Sequence, residues 1–129
     1  MTEKPLPKNE SENIPEFTLQ KEYLEMIRSG LKTTEGRISS GGFANLKIGS
    51  KVKFSENNNP KNYVICEILT INSYENFAQM LESEGLENML PGTTNLQKGV
   101  EIYEKIPNYK ERCQQSGCLG IRLKVLEKS

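Results

Sequence analysis

Gly30-Leu31-Lys32-Thr33-Thr34-Glu35-Gly36-Arg37 places three charged residues and two threonines within eight positions. On its N-terminal side Tyr23, Leu24, Ile27 and Leu31 recur at helical spacing. That predicts a helix from about Gln20 to Ser29, stopped by Gly30. On its C-terminal side, Lys32 to Ile38 reads as a strand. Thr33, Glu35 and Arg37 then share one face, with Lys32 and Thr34 on the other. Lys32 stands at the helix–strand junction, where the backbone can turn its ammonium toward the same cleft. The grouping offers two cationic donors for phosphate or base-edge oxygens, and one carboxylate to orient them or move a proton. The plainer reading is a solvated strand whose Glu35 and Arg37 pair on the surface and add little stability.

Outward from this stretch the chain alternates β and α signals. Phe17 to Leu19 is a short extended piece, and Ser39 to Gly42 a loop. Lys51 to Ser55 alternates lysines with Val52 and Phe54, as a half-buried strand does. Glu56 to Asn62 is a turn rich in Asn and Pro. Tyr63 to Ile71 carries one charge among apolar and β-branched residues, which predicts a central, mostly buried strand. A helix is expected from about Tyr74 to Glu84, with Phe77, Ala78 and Leu81 inward, and a turn from Leu86 to Leu90. A second helix runs from Asn95 to about Lys105 on Leu96, Val100 and Tyr103. Cys113 to Cys118 reads as a loop. Leu119, Ile121, Leu123 and Val125 alternate inward on a last strand, with Arg122 read as solvated. The order suits an α+β fold, with a small, partly open barrel as one way to cover the sheet edges.

Composition narrows the chemistry. The 129 residues fit one domain. Residues 1–15, with three prolines, read as a disordered or loosely attached tail, and 16–129 as the domain. The 17 Lys and Arg balance 17 acids, all of them Glu, and the chain has no His and no Trp. A Ser-His-Asp triad and His-based zinc sites are therefore excluded. Proton transfer is left to Glu, Lys, Tyr, Cys or water. Zero net charge argues against a broad nucleic-acid-coating face but allows a compact basic pocket. Three cysteines without a CxxC pair point to reduced thiols rather than a zinc site or a disulfide framework. No metal and no cofactor are expected. Nor is a membrane: no apolar run reaches spanning length, and the first residues lack a signal-peptide core. The expected compartment is the cytoplasm, or the nucleus in a eukaryote.

The eight-residue stretch resembles the G-x-K-x-x-E-x-R signature of the ASCH domain family, a branch of the PUA-like superfamily. Four further segments are similar to the family in the same order. They are Leu46 to Phe54, Met80 to Gly92, the helix at Gly99-Val100-Glu101-Ile102-Tyr103, and the strand Gly120-Ile121-Arg122-Leu123. The resemblance spans roughly residues 17 to 127. It implies a PUA-like small mixed β-barrel with flanking helices and a cleft beside the motif. It also implies RNA as the associated chemistry, since superfamily members bind RNA or read modified bases. Some members are enzymes, among them N4-acetylcytidine amidohydrolases and a metal-dependent ribonuclease. Two positions depart from the family pattern. Glu35 stands where the amidohydrolases have a threonine nucleophile, and a carboxylate is a poor substitute for a hydroxyl. Ser50 stands where Asp is frequent, and a turn tolerates either.

Three functions follow as expectations. The first is an ASCH-type module that binds RNA, a nucleotide or a modified nucleoside through Lys32, Thr33, Glu35, Arg37 and Tyr103. The second is an enzyme on RNA or a nucleoside, with Lys32 and Glu35 as catalytic groups. The third is a protein-interaction module. A monomer is expected. Tyr103 and Tyr109 suit either base stacking or core packing. Lys47, Lys51 and Lys53 suit either a phosphate-tracking stripe or ordinary solubility.

Overall fold

The computed structural model describes residues 14–129. The expected tail lies outside them except for Ile14 and Pro15, and the Pro15 carbonyl accepts a hydrogen bond from Lys53 N–H at 2.9 Å. Five strands form one sheet: β1 (Glu16–Leu19), β2 (Thr34–Ile38), β3 (Lys51–Glu56), β4 (Asn59–Tyr74) and β5 (Cys118–Lys128). Their spatial order is β1-β3-β4-β5-β2. β1 runs parallel to β3, and every other pairing is antiparallel. Register shifts in the β3–β4 and β4–β5 pairings help the sheet curl. The expected barrel is therefore only half realised: the sheet is an open half-barrel whose edges, β1 and β2, do not pair with each other. No helix among the described residues is long and apolar enough to cross a membrane.

The expected first helix forms as α1 (Lys21–Ser29), and Gly30 ends it at φ 87°. That left-handed backbone favours glycine. Leu24 and Ile27 are buried against the sheet's inner face with Val52, Phe54, Val64 and Ile68. Burying each such side chain contributes roughly 1.5–3 kcal/mol. Leu31, expected on the same stripe, is 65 % exposed because it lies beyond the helix stop.

A second core covers the other face of β2 and β5. It is built by α2 (Phe77–Glu84), the single-turn α3 (Leu86–Met89), α4 (Leu96–Glu104) and α5 (Tyr109–Ser116). Asn76 and Asn95 cap α2 and α4, their side chains accepting from Gln79 N–H and Lys98 N–H at 2.8 and 2.9 Å. Two readings from sequence are corrected here. Tyr74 belongs to the end of β4, paired with Cys118, and not to a helix. The segment before the last strand is the helix α5 and not a loop. β4 is longer than expected and only alternately buried, with Val64, Cys66 and Ile68 inside and Leu69 at 37 % exposed. β5 behaves as its alternation predicts: Leu119, Ile121 and Leu123 are buried, Val125 is half-buried and Arg122 is exposed.

Candidate functional site

β2 begins only at Thr34, so Lys32 and Thr33 are not on the strand. They form a connector docked against the C-terminal end of α3, where Thr33 N–H donates to the Asn88 carbonyl at 3.0 Å. The Lys32 ammonium folds back beneath the strand. It donates to Met89 O at 2.6 Å and Thr34 O at 2.8 Å, and it contacts Glu35 Oε1 at 3.2 Å. Three acceptors around one nitrogen account for all three protons of an ammonium. Lys32 is 2 % exposed. It sits behind Glu35, not on the wall of the main cleft.

Glu35 and Arg37 share one strand face, as the period of two requires. Arg37 Nε donates to Glu35 Oε2 at 2.6 Å, and Arg37 Nη2 donates to the Thr18 carbonyl at 3.0 Å. The guanidinium lies 4.7 Å from the centre of the Phe43 ring, and Phe43 stacks on Phe17 at 3.8 Å. Arg37 thus spans the gap between the two edge strands. Burial pushes the Glu35 carboxyl up, but the Arg37 and Lys32 charges outweigh it and hold it below the usual carboxylate range. Burial pulls Lys32 below the ordinary lysine range, against the opposing charge and hydrogen bond of Glu35. With all three ionised, the cluster carries one net positive charge.

The gap between β1 and β2 is a cleft of about 370 Å³. That is within the size range of small-molecule sites. Glu35, Gly36 and Arg37 form one wall, Thr18 and Leu19 face them, and Tyr23, Tyr103 and Tyr109 supply aromatic surface. Tyr103 is 5 % exposed and stacks on Phe77 at 5.2 Å. Its hydroxyl has no hydrogen-bond partner among the described residues. Burial and the Glu35 charge raise its pKa well above the ordinary tyrosine value, so at neutral pH it is a neutral donor and acceptor. Thr33 lines a different concavity with Arg28 and Leu123, on the far side of the connector. Thr34 is buried, and its hydroxyl lies 3.4 Å from that of Thr33.

The α4–α5 turn supplies Ile106 and Pro107 to the cleft, which sequence reasoning did not assign. Nothing local marks them; they reach the site only because α4 packs on α2 and α5 and brings the turn to the cleft. Gly36 is equally easy to miss. A β-carbon there would lie 2.7 Å from the Tyr103 hydroxyl oxygen, 2.9 Å from Met80 Cε and 3.0 Å from Met89 Cε. Gly36→Ala should therefore cost about 1–3 kcal/mol through overpacking. Urea unfolding checks this, and an unchanged midpoint would mean the three neighbours yield freely. Among the described residues, no three His, Cys, Asp or Glu side chains converge to hold a metal ion.

The ASCH domain model matches residues 17–125. The chain belongs to the ASCH domain family. The crystal structure of hypothetical protein PH0355 is 31 % identical, with a TM-score of 0.75, covering 86 % of this chain and 97 % of that one. The solution structure of protein PF0455 from Pyrococcus furiosus is also 31 % identical, with a TM-score of 0.69, covering 88 % and 97 %. ASCH from Zymomonas mobilis is 14 % identical with a TM-score of 0.60, covering 88 % of this chain and 68 % of its own, a likeness of fold alone. No curated protein matches this ASCH domain.

Proposed function

We propose that this ASCH domain binds RNA, a nucleotide or a modified nucleoside in the cleft between β1 and β2. The observation that carries the reading is the Tyr103 hydroxyl, which makes no hydrogen bond to the described residues and lines the cleft, beside an Arg37 fork with donors to spare. A polar group at a cleft wall with no protein partner is a ready anchor for a ligand. Arg37 contacts phosphate or carbonyl oxygens, and Glu35 orients Arg37. Lys32 acts from behind by fixing Glu35, a positioning role that follows from its three protein acceptors. The net positive cluster favours anionic or carbonyl-bearing ligands.

Binding is favoured over hydrolysis by two features. Neither Thr33 nor Thr34 lines the cleft, so neither threonine of the motif is at hand as a nucleophile. Glu35 is held ionised by two cations, which makes it a weak base and no acid at neutral pH. Following N4-acetylcytidine and single-stranded RNA by mass, with and without a divalent metal, checks this: intact substrates are expected, and turnover would restore the enzymatic reading. The binding test is a titration with labelled single-stranded RNA. Tyr103→Phe should weaken binding about tenfold, the worth of one good hydrogen bond, while unfolding stability stays within about 1 kcal/mol. Unchanged affinity in both Tyr103→Phe and Arg37→Gln would remove the cleft from the binding site.

A further inference from the structure

The sheet register fixes where the backbone of β2 points. Thr33 C=O accepts from Leu123 N–H at 2.9 Å, and Glu35 and Arg37 sit opposite Ile121 and Leu119. In an antiparallel pair, bonded and non-bonded positions alternate. Glu35 and Arg37 therefore exchange hydrogen bonds with β5, while Thr34, Gly36 and Ile38 turn their N–H and C=O away from it. The Thr34 carbonyl agrees, since it is taken by the Lys32 ammonium. On β5, Gly120 lies opposite Asn72 of β4 and spends its backbone groups there. Gly36 N–H and C=O are left facing the cleft, with no partner among the described residues. Unpaired backbone groups on a largely buried residue are rare, and they call for a partner. The place of a Gly36 side chain is filled by Tyr103, Met80 and Met89, so what Gly36 offers the cleft is its backbone alone.

We infer that Gly36 reads the edge of a planar heterocycle, and that the preferred ligand carries an imide face of the uracil type. Gly36 N–H donates to one ring carbonyl, and Gly36 C=O accepts the ring N–H. Arg37 follows next along the strand. Its Nε and Nη2 are engaged by Glu35 and Thr18, and the Tyr109 hydroxyl lies within hydrogen-bonding reach of the guanidinium, which still leaves an Nη1 N–H free. It donates to the second carbonyl. The wall thus reads donor, acceptor, donor, which complements acceptor, donor, acceptor. Cytosine, adenine and guanine edges do not present that order. The Tyr103 hydroxyl, whose oxygen lies 2.7 Å from the place of a Gly36 β-carbon, closes the site on the helical side. This inference rests on the proposed binding function and specifies its ligand.

The test titrates the 15N-labelled full chain with uridine, 3-methyluridine, cytidine and adenosine, following amide and side-chain signals. Uridine should shift the Gly36 amide and the Arg37 Nε signal, and bind at least tenfold more tightly than cytidine or 3-methyluridine, whose methyl replaces the ring N–H. Equal affinity for uridine and 3-methyluridine overturns the inference, as does a Gly36 amide that stays still while other cleft signals move. If cytidine or adenosine occupies the cleft more tightly than uridine, the imide reading falls and the binding function stands. If no nucleoside and no labelled RNA perturbs the cleft, both fall.

Discussion

Glu35→Gln should destabilise the protein by about 3–5 kcal/mol, because the substitution strands two buried cations. The amide keeps the shape of the carboxylate but not its charge. Lys32 at 3.2 Å and Arg37 at 2.6 Å then face a neutral group in a site with little water. The effect should be far larger than for a half-buried, better-solvated pair such as Glu25 and Arg28. Thermal or urea unfolding measures it directly. Lys32→Met added to Glu35→Gln should lose less than the sum of the single losses, since one stranded charge is removed with its partner. The pH dependence has a definite sign. Glu35 has a lower pKa folded than unfolded, where it is about 4.3. Its stabilisation is fully present above that value and fades as pH falls through the lower folded value. The wild type should therefore lose stability more steeply than Glu35→Gln on acidification. A loss under 1 kcal/mol at neutral pH, or parallel acid profiles, would show that the cluster is not a coupled charge network.

Gly117→Ala should cost about 3 kcal/mol, and for a different reason. Gly117 has φ 75° and ψ −171°, a backbone state that side chains rarely allow. A β-carbon would also stand 2.6 Å from the Tyr74 carbonyl oxygen. Backbone cannot swing aside as the end of a side chain can. The residue ties two elements together: its N–H donates to Cys113 O at 2.7 Å, and its C=O accepts from Ser39 N–H at 3.1 Å. Strain here should therefore loosen α5 and the exit of β2 together. Urea denaturation is the check, and a change below about 0.5 kcal/mol would mean the turn relaxes without penalty.

Much of the fold was legible because its signals are periodic. Alternation placed the buried face of β5, and the Tyr23, Leu24, Ile27 stripe placed α1. What failed had no such signal. In α5 only Tyr109 and Cys113 are apolar at helical spacing among eight residues, so its polar majority read as a loop. Tyr74 continues β4 because Cys118 pairs with it, a partner that local pattern cannot reveal. Within the site, the motif brought Lys32, Glu35 and Arg37 into one cluster, yet their division of labour lay beyond its reach. Starting the strand two residues later than read places Lys32 beneath Glu35 and turns Thr33 to another surface. The opposite wall, from Thr18 to Ile106, is assembled by tertiary packing alone.

The strand that carries Glu35 and Arg37 has a single sheet neighbour, and Gly36 waits for Gly120 to supply it. During synthesis at roughly 5–20 residues per second, β2 leaves the ribosome seconds before β5 exists. Until then it is an unpaired edge bearing charges that belong inside. The hairpin of β3 and β4 closes across only the Asn57-Asn58 turn and is free to form early. The cleft, by contrast, is among the last features the chain completes, and pairing so distant in sequence is slow. Premature termination between β4 and β5 would thus release a chain with a formed hairpin and no binding site.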